Sequence, residues 1–239
     1  MTSPQRSILE IRGLVKDYRG LRPLRIVTLA IAPGERVALS GLDAASAEVL
    51  VNLVTGASLP DQGEVLVDGV STAAIATGDA WLAWLDRFGI VSERAVLLEG
   101  STLLQNLALP FTIDIDAILP DVKRRIESLA GDVGLAPERL QVRVGDLTPA
   151  DRLRGQVARA LALDPQIVVL EHPTASLPRE AVAGVARDAA RALDKHETAS
   201  LAITEDSDFA STFATRWLKL NGGTGELVPA KSQWKLFGR

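Results

Sequence analysis

The stretch "TPADRLRGQVARALALDPQIVVLEHP", residues 148–173, combines a helical pattern with an apolar strand and so indicates the class of fold. Thr148 is a suitable N-cap, and Pro149 suits the first helical position, where a backbone N–H has no partner in any case. The apolar run within 166–173 follows at once, and its length is typical of a strand buried on both faces. A helix that leads directly into such a strand predicts an α/β protein with a parallel sheet.

The segments on either side of this stretch continue the alternation of strands and helices. Short apolar runs near 36–40 and 199–204 resemble the run at 166–171 in length and composition. Parallel strands need helical crossovers between them, and helical patterns separate these three runs. We therefore expect the three runs to lie side by side in one parallel core sheet.

Two further regions complete the predicted architecture. The residues of 8–15 and 24–32 alternate between apolar and polar, which predicts an antiparallel β-region in the N-terminal third. The pattern from about 90 to 160 is mostly helical and predicts a helical subdomain. We expect one domain over 1–228, followed by a short tail at 229–239.

The composition excludes several classes of function. The 239 residues carry a formal net charge of −4, which gives no electrostatic reason to expect nucleic-acid binding. With no cysteine there is no disulfide framework, thiolate zinc site or cysteine nucleophile. His172 and His196 are the only histidines, so a histidine-rich metal site is not expected.

A set of sequence landmarks in one order resembles the nucleotide-binding subunit of ATP-binding-cassette (ABC) transporters, from about residue 8 to 228. The resemblance implies a phosphate-loop NTPase fold with a parallel core sheet, an N-terminal antiparallel β-region and a helical subdomain. The segments that carry it are, in chain order, "LVKDYRG", "SGLDAASAEVLVNL", "LPDQGEVLVDG", "FGIVSERAVLLEGSTLLQNLALP", "LTPADRLRGQVARALALDPQIVVLEHPTASLP" and "LAITEDSDFA".

The phosphate loop implied by the resemblance departs from the working pattern G-x-x-x-x-G-K-[ST]. In that pattern the lysine bridges the β- and γ-phosphates, and the hydroxyl residue holds Mg²⁺. The first glycine is Gly41, but the second falls on Ser46, the lysine on Ala47 and the hydroxyl residue on Glu48. Gly41 still serves the turn, and Tyr18 falls where the family stacks an aromatic ring on adenine. If a nucleotide binds, Tyr18 and Gly41 are therefore the residues expected to contact it.

The other catalytic positions of the family are also replaced. By resemblance, the glutamine of the Q-loop falls on Glu93, the metal-holding aspartate on Glu171 and the catalytic glutamate on His172. The histidine of the switch segment falls on Glu205, and the signature L-S-G-G-Q becomes the sequence of 147–151, LTPAD. Several carboxylates would therefore surround the triphosphate position, and two like charges 4 Å apart repel by about 4 kcal/mol at an effective dielectric near 20.

These replacements favour a noncatalytic, structural or regulatory subunit of a membrane transport complex that uses no ATP or Mg²⁺. One alternative is an ATPase with rewired residues, in which His172 acts as general base. Another is a module that binds a cation or a cationic ligand in the acidic pocket. We expect no resident metal ion and no nucleic-acid partner.

The resemblance also implies the partners and the location of the protein. The chain would pair with itself or with an active homologous ATPase subunit. It would dock on a membrane subunit and lie peripherally on the cytoplasmic face of the membrane. In the family a groove beside the Q-loop receives a short helix of the membrane subunit, and the apolar residues at this place are Val96, Leu97, Leu98, Leu103, Leu104 and Phe111.

Overall fold

A computed structural model describes residues 7–230, so the expected tail lies outside the described residues except for its first two positions. The strands are β1 (Leu9–Lys16), β2 (Leu24–Ile31), β3 (Arg36–Ser40), β4 (Gln62–Val67), β5 (Val70–Ser71), β6 (Phe88–Val91), β7 (Ile167–Glu171), β8 (Ala199–Ile203), β9 (Arg216–Leu220) and β10 (Leu227–Pro229). The helices are α1 (Ala44–Val54), α2 (Gly78–Leu85), α3 (Leu103–Ala108), α4 (Pro120–Asp132), α5 (Pro149–Ala160), α6 (Arg179–Lys195) and α7 (Ser207–Phe213).

The core sheet has six strands in the order β10-β9-β3-β8-β7-β6. All neighbours are parallel except β10, which runs antiparallel to β9 at one edge. The strands β3, β8 and β7 are adjacent, so the three apolar runs predicted to share one sheet do so. Every residue of β8 is buried, as expected for a central strand covered on both faces.

The antiparallel β-region forms a separate four-stranded sheet in the order β2-β1-β4-β5. Buried and exposed residues alternate along β2, which explains the looser apolar alternation of its sequence. Its buried residues belong to the same hydrophobic cluster as α1 and one side of the core sheet. The expected β-region is therefore confirmed.

Helices α3, α4 and α5 pack together on the other side of the core sheet with α6 and α7. Thr102 caps α3 in a reciprocal arrangement with Gln105, and Thr148 caps α5 by accepting a hydrogen bond from the N–H of Asp151. Pro149 is the first helical residue of α5, as its sequence predicts. None of the helices in residues 7–230 is both long enough and apolar enough to cross a membrane.

Candidate functional site

The loop between β3 and α1 has the backbone shape of a phosphate loop. Gly41 has φ +91°, and a Cβ at this position would lie 2.5 Å from the carbonyl oxygen of Leu220, so only glycine fits. Asp43 is the N-cap of α1 and accepts a hydrogen bond of 2.8 Å from the N–H of Ser46. The hydrogen bond from the Ser46 hydroxyl, followed by the one from its N–H, lowers the pKa of the Asp43 carboxyl, because both stabilise the charged form.

The first two N–H groups of this loop converge on an anionic oxygen. The N–H of Gly41 and the N–H of Leu42 both donate to Oε1 of Glu205, at 2.6 and 3.2 Å. Glu205 follows strand β8, and its carboxylate comes from 164 residues further along the chain. The loop therefore has an anion-binding site made of backbone N–H groups, and the carboxylate of Glu205 occupies it in this structure.

Arg94 lies between two of the expected carboxylates. Its guanidinium donates a hydrogen bond of 2.7 Å to Glu48 on α1 and another of 2.7 Å to Glu171 at the end of β7. The side chain of Glu171 is 12% exposed, whereas those of Arg94 and Glu48 are 43% and 51% exposed. Two of the negative charges expected to repel a phosphate are thus paired with a cation.

A cleft of about 550 Å³ connects Tyr18 to the phosphate loop. Its lining includes Gly41, Asp43 and Ser46, so the structure brings together the two residues expected to contact a nucleotide, Tyr18 and Gly41. A pocket of several hundred Å³ is the usual size for a small-molecule site. The lining also contains the exposed cations Arg22 and Arg25.

His172 follows β7 in a strained backbone conformation, with φ +44°. Its N–H donates to the carbonyl of Ile203 at 2.9 Å, which ties the residue to β8. The Nε2 atom is buried and has no hydrogen-bond partner among the described residues. A non-glycine residue in this conformation is uncommon, and such outliers cluster at functional sites.

A second cavity, of about 210 Å³, lies where the core sheet meets the N-terminal end of α5. Its lining contains Glu93, Glu171 and His172 together with Pro149 and Gln156. Ala47, at the expected lysine position, is instead fully buried in the core below the phosphate loop. The replaced positions Glu93, Glu171 and His172 therefore share one cavity, whereas Ala47 does not line it.

The expected docking residues divide into two groups. Leu97 and Leu103 are buried in the chain's own core, and Leu104 and Phe111 pack partly against it. Val96 and Leu98 are 63% and 47% exposed. The prediction that Leu97 and Leu103 meet a partner needs correction, because their side chains already fill the interior between α3 and α5.

The loop that carries Val96 and Leu98 is held from two sides. Asn106 on α3 is buried; it accepts a hydrogen bond of 2.6 Å from the N–H of Leu98 and donates one of 3.0 Å to its carbonyl. Arg159 on α5 donates to the carbonyls of Val96 and Ala95, and burial lowers the pKa of its guanidinium. Beside Ala95 a groove of about 300 Å³ contains the apolar residues Phe88, Ile90 and Leu163.

The sequence interpretation missed Arg94, Asn106 and Arg159. Arg94 stands directly after Glu93, at the Q-loop position, and a cation between two expected carboxylate positions could have been suspected from that placement. Asn106 and Arg159 carry no such signal, because their role depends on main-chain carbonyl and N–H groups of a distant loop.

The comparisons with known proteins agree with this geometry. Residues 24–175 match the sequence family described as ABC transporter. The lipoprotein-releasing system ATP-binding protein LolD of Pseudomonas syringae pv. tomato is 32% identical over 224 residues, which cover 91% of this chain and 96% of that protein.

Two solved structures share the fold. The cbiO1 protein of Clostridium perfringens, part of the ABC transporter complex cbiONQ, superposes with a TM-score of 0.79 at 18% identity, covering 95% of this chain and 89% of the other. A dimeric ATP-binding cassette in a post-hydrolysis state with ADP and phosphate superposes with a TM-score of 0.74 at 21% identity, covering 94% and 98%. At these identities the two likenesses concern the fold alone.

The expectation of a noncatalytic subunit that uses no ATP or Mg²⁺ is wrong. A relative that covers 91% of the chain is named as an ATP-binding protein, which supports the alternative of an active ATPase. The physical reason for the error lies in the charges. The expectation treated Glu48 and Glu171 as bare carboxylates facing a phosphate, whereas Arg94 pairs with both of them. The expectation of a cation-binding module also lacks support, since residues 7–230 contain no group of three or more candidate ligands placed around a metal position.

Proposed function

The chain belongs to the ABC transporter family, and on this premise we propose that it is the ATP-binding subunit that energises a membrane transport complex. The observation that carries the proposal is the cleft that joins Tyr18 to a loop whose N–H groups already hold an anionic oxygen. An aromatic side chain at one end of the cleft and an anion-binding site at the other suit a nucleotide, which carries a base and phosphates at its two ends.

The residues present also fit Mg²⁺ once a nucleotide is bound. Mg²⁺ in phosphate-transfer sites takes one or two carboxylates together with phosphate oxygens and water. Glu48 and Glu171 are two carboxylates at the positions that hold the metal in related loops, and Arg94 already brings a cation between them. The metal would supply charge neutralisation for the phosphates, and these two residues would hold it.

His172 is the proposed general base for hydrolysis. It occupies the position after β7 where the family has its catalytic glutamate, and the buried Nε2 has no other partner in residues 7–230. A histidine is suited to accept a proton near neutral pH.

The partners proposed for the chain follow from the family. We propose that residues 1–228 form one nucleotide-binding domain, with a helical subdomain at about 90–160, and that it works as a dimer with itself or a homologous ATPase subunit. It would lie on the cytoplasmic face of a membrane, held by a membrane subunit. The docking surface would be the exposed part of the loop, Val96 and Leu98, next to the groove beside Ala95.

The first prediction tests the adenine platform. Replacing Tyr18 with alanine should weaken ATP binding about tenfold, because stacking of a base on an aromatic ring contributes roughly 1–3 kcal/mol. Isothermal titration calorimetry with ATP and with free triphosphate measures the effect. Triphosphate, which has no base, should bind the variant and the parent equally. Equal ATP affinity in both proteins would remove Tyr18 from the site.

The second prediction tests the docking surface with two leucines of equal exposure. Leu98 and Leu59 are both 47% exposed, but Leu59 lies in the segment between α1 and β4, away from the Q-loop. The Leu98→Lys variant should lose at least about ten-fold in membrane association, since burying a leucine contributes roughly 1.5–3 kcal/mol. Cell fractionation measures the association, and circular dichroism shows that the variants fold. Equal membrane retention of Leu98→Lys and the control Leu59→Lys would disprove docking through this loop.

A further inference from the structure

The phosphate loop of this chain lacks a cation of its own. Ala47 stands where the lysine of related loops would be and is fully buried, so no side chain of α1's first turn brings a positive charge to the loop. Backbone N–H groups and a helix N-terminus attract an anion, but a triphosphate carries several charges, and related loops add a lysine to them. A nucleotide site here therefore requires a positive side chain from another segment.

Arg94 is placed at the edge where that cation is needed. Its two hydrogen bonds, each 2.7 Å long, span from Glu48 on α1 to Glu171 at the end of β7. In phosphate-loop proteins these two elements flank the β- and γ-phosphates and their metal ion. The guanidinium thus lies between the end of β7 and α1, the helix that begins at the loop lacking a lysine.

The Arg94–Glu48 ion pair is the more exposed of the two and can exchange partners, whereas Glu171 is only 12% exposed. The side chains of Arg94 and Glu48 are 43% and 51% exposed, and an exposed ion pair contributes little to stability. A guanidinium presents paired N–H groups that match phosphate oxygens in a bidentate geometry. A phosphate group with two charges therefore competes well against the single charge of Glu48.

Arg22 and Arg25 line the cleft that contains Tyr18 and Gly41. Arg22 approaches Gly222, and Arg25 packs against Gly225, both in the segment that joins β9 to β10. The same lining contains Tyr18, Gly41 and Leu220. Neither residue forms an ion pair with Glu48 or Glu171 in the described part of the chain, whereas Arg94 pairs with both.

We infer that Arg94 is the phosphate-binding cation of this subunit and replaces the missing lysine of the loop. The inference rests on the proposed ATP binding and names the residue that makes it possible. On binding, the guanidinium moves from the carboxylates of Glu48 and Glu171 to the terminal phosphates. The two carboxylates are then released for Mg²⁺.

The test measures the affinity of the full chain for ATP, inorganic triphosphate and adenosine by isothermal titration calorimetry. The Arg94→Ala variant should bind ATP and triphosphate about ten- to hundred-fold more weakly and adenosine unchanged, and Arg94→Lys should recover part of the loss. Arg125→Ala is the matched control, because Arg125 is similarly exposed and forms an ion pair with Asp164 far from the cleft. The control should bind all three ligands like the parent.

A double variant separates direct contact from a general change of charge. Arg94→Ala combined with Glu48→Gln restores the net charge of the parent site but leaves no guanidinium. Triphosphate affinity should stay low in this variant if Arg94 contacts the phosphates. Recovery of the parental triphosphate affinity would overturn the inference about Arg94. The proposed binding of ATP by the parent would remain. Absence of ATP binding by the parent itself would overturn the proposed function together with the inference.

Discussion

Replacing His172 with alanine should lower the rate of ATP hydrolysis by roughly 10²–10⁴-fold, which is the usual contribution of a general base. The affinity for ATP should change little, because the Nε2 atom of this side chain has no hydrogen-bond partner among the described residues. Removal of the side chain leaves the strained backbone in place, and the N–H of residue 172 can still donate to Ile203. Steady-state phosphate release by the complex with its membrane subunit measures the rate.

The other histidine of the chain is the control for this prediction. His196 lies at the C-terminal end of α6, where its Nε2 is 3.0 Å from a carboxylate oxygen of Asp132. The His196→Ala variant should hydrolyse ATP at the parental rate, although it loses this contact. If His172→Ala hydrolyses ATP as fast as His196→Ala, the residue after β7 is not the base.

Removal of Glu205 should raise the affinity for ATP by roughly ten- to hundred-fold, because a charge that repels phosphate is lost. In this structure its carboxylate holds the N–H groups of Gly41 and Leu42, which are the donors that a phosphate needs. A negative charge about 4 Å from a phosphate adds a repulsion of up to about 4 kcal/mol at an effective dielectric near 20. The Glu205→Ala variant frees both donors and removes that charge. Calorimetric titration with ATP measures the gain.

Two further variants show which part of this effect comes from charge. Glu205→Gln keeps an oxygen that can accept from the loop, so it should raise the affinity less than Glu205→Ala. Glu138→Ala removes an exposed carboxylate from the helical part of the chain and should leave the affinity unchanged. A Glu205→Ala variant with parental or weaker affinity would show that the carboxylate does not compete with phosphate.

The sequence predicts the fold well, because the fold depends on local patterns. The apolar runs of β3, β7 and β8 and the alternation along β1 and β2 are each readable within eight residues. The turn at Gly41 is also a local property, since its positive φ requires glycine. These features do not depend on how distant side chains meet.

The charges of the site could not be predicted in the same way. Glu48, Arg94 and Glu171 come from three segments, and the pairings of Arg94 span 46 and 77 residues. The sequence shows which acids approach the phosphate position but not which of them are neutralised there. The prediction of an unpaired acidic pocket failed for this reason, and with it the prediction that the chain works without ATP.

The exposure of the apolar residues in the loop that carries Val96 and Leu98 could not be predicted from the sequence either. The six residues expected at the docking surface are all apolar in the sequence, but Leu97 and Leu103 are buried in the core, whereas Val96 and Leu98 are exposed. Asn106 holds the main chain at Leu98 with two hydrogen bonds and so fixes the local course of this loop. A buried asparagine that binds a distant loop leaves no periodic pattern in the sequence.

The most direct test of the central claim is calorimetric titration of the purified chain with ATP in the presence of Mg²⁺. The account predicts saturable binding of one nucleotide per chain, weakened by Tyr18→Ala and by Arg94→Ala and strengthened by Glu205→Ala. Because ligand binding to the folded state alone raises stability, ATP should also raise the melting temperature of the parent. A parent protein that shows neither binding heat nor thermal stabilisation, with Glu205→Ala equally inert, would contradict the claim that this cleft is an ATP site.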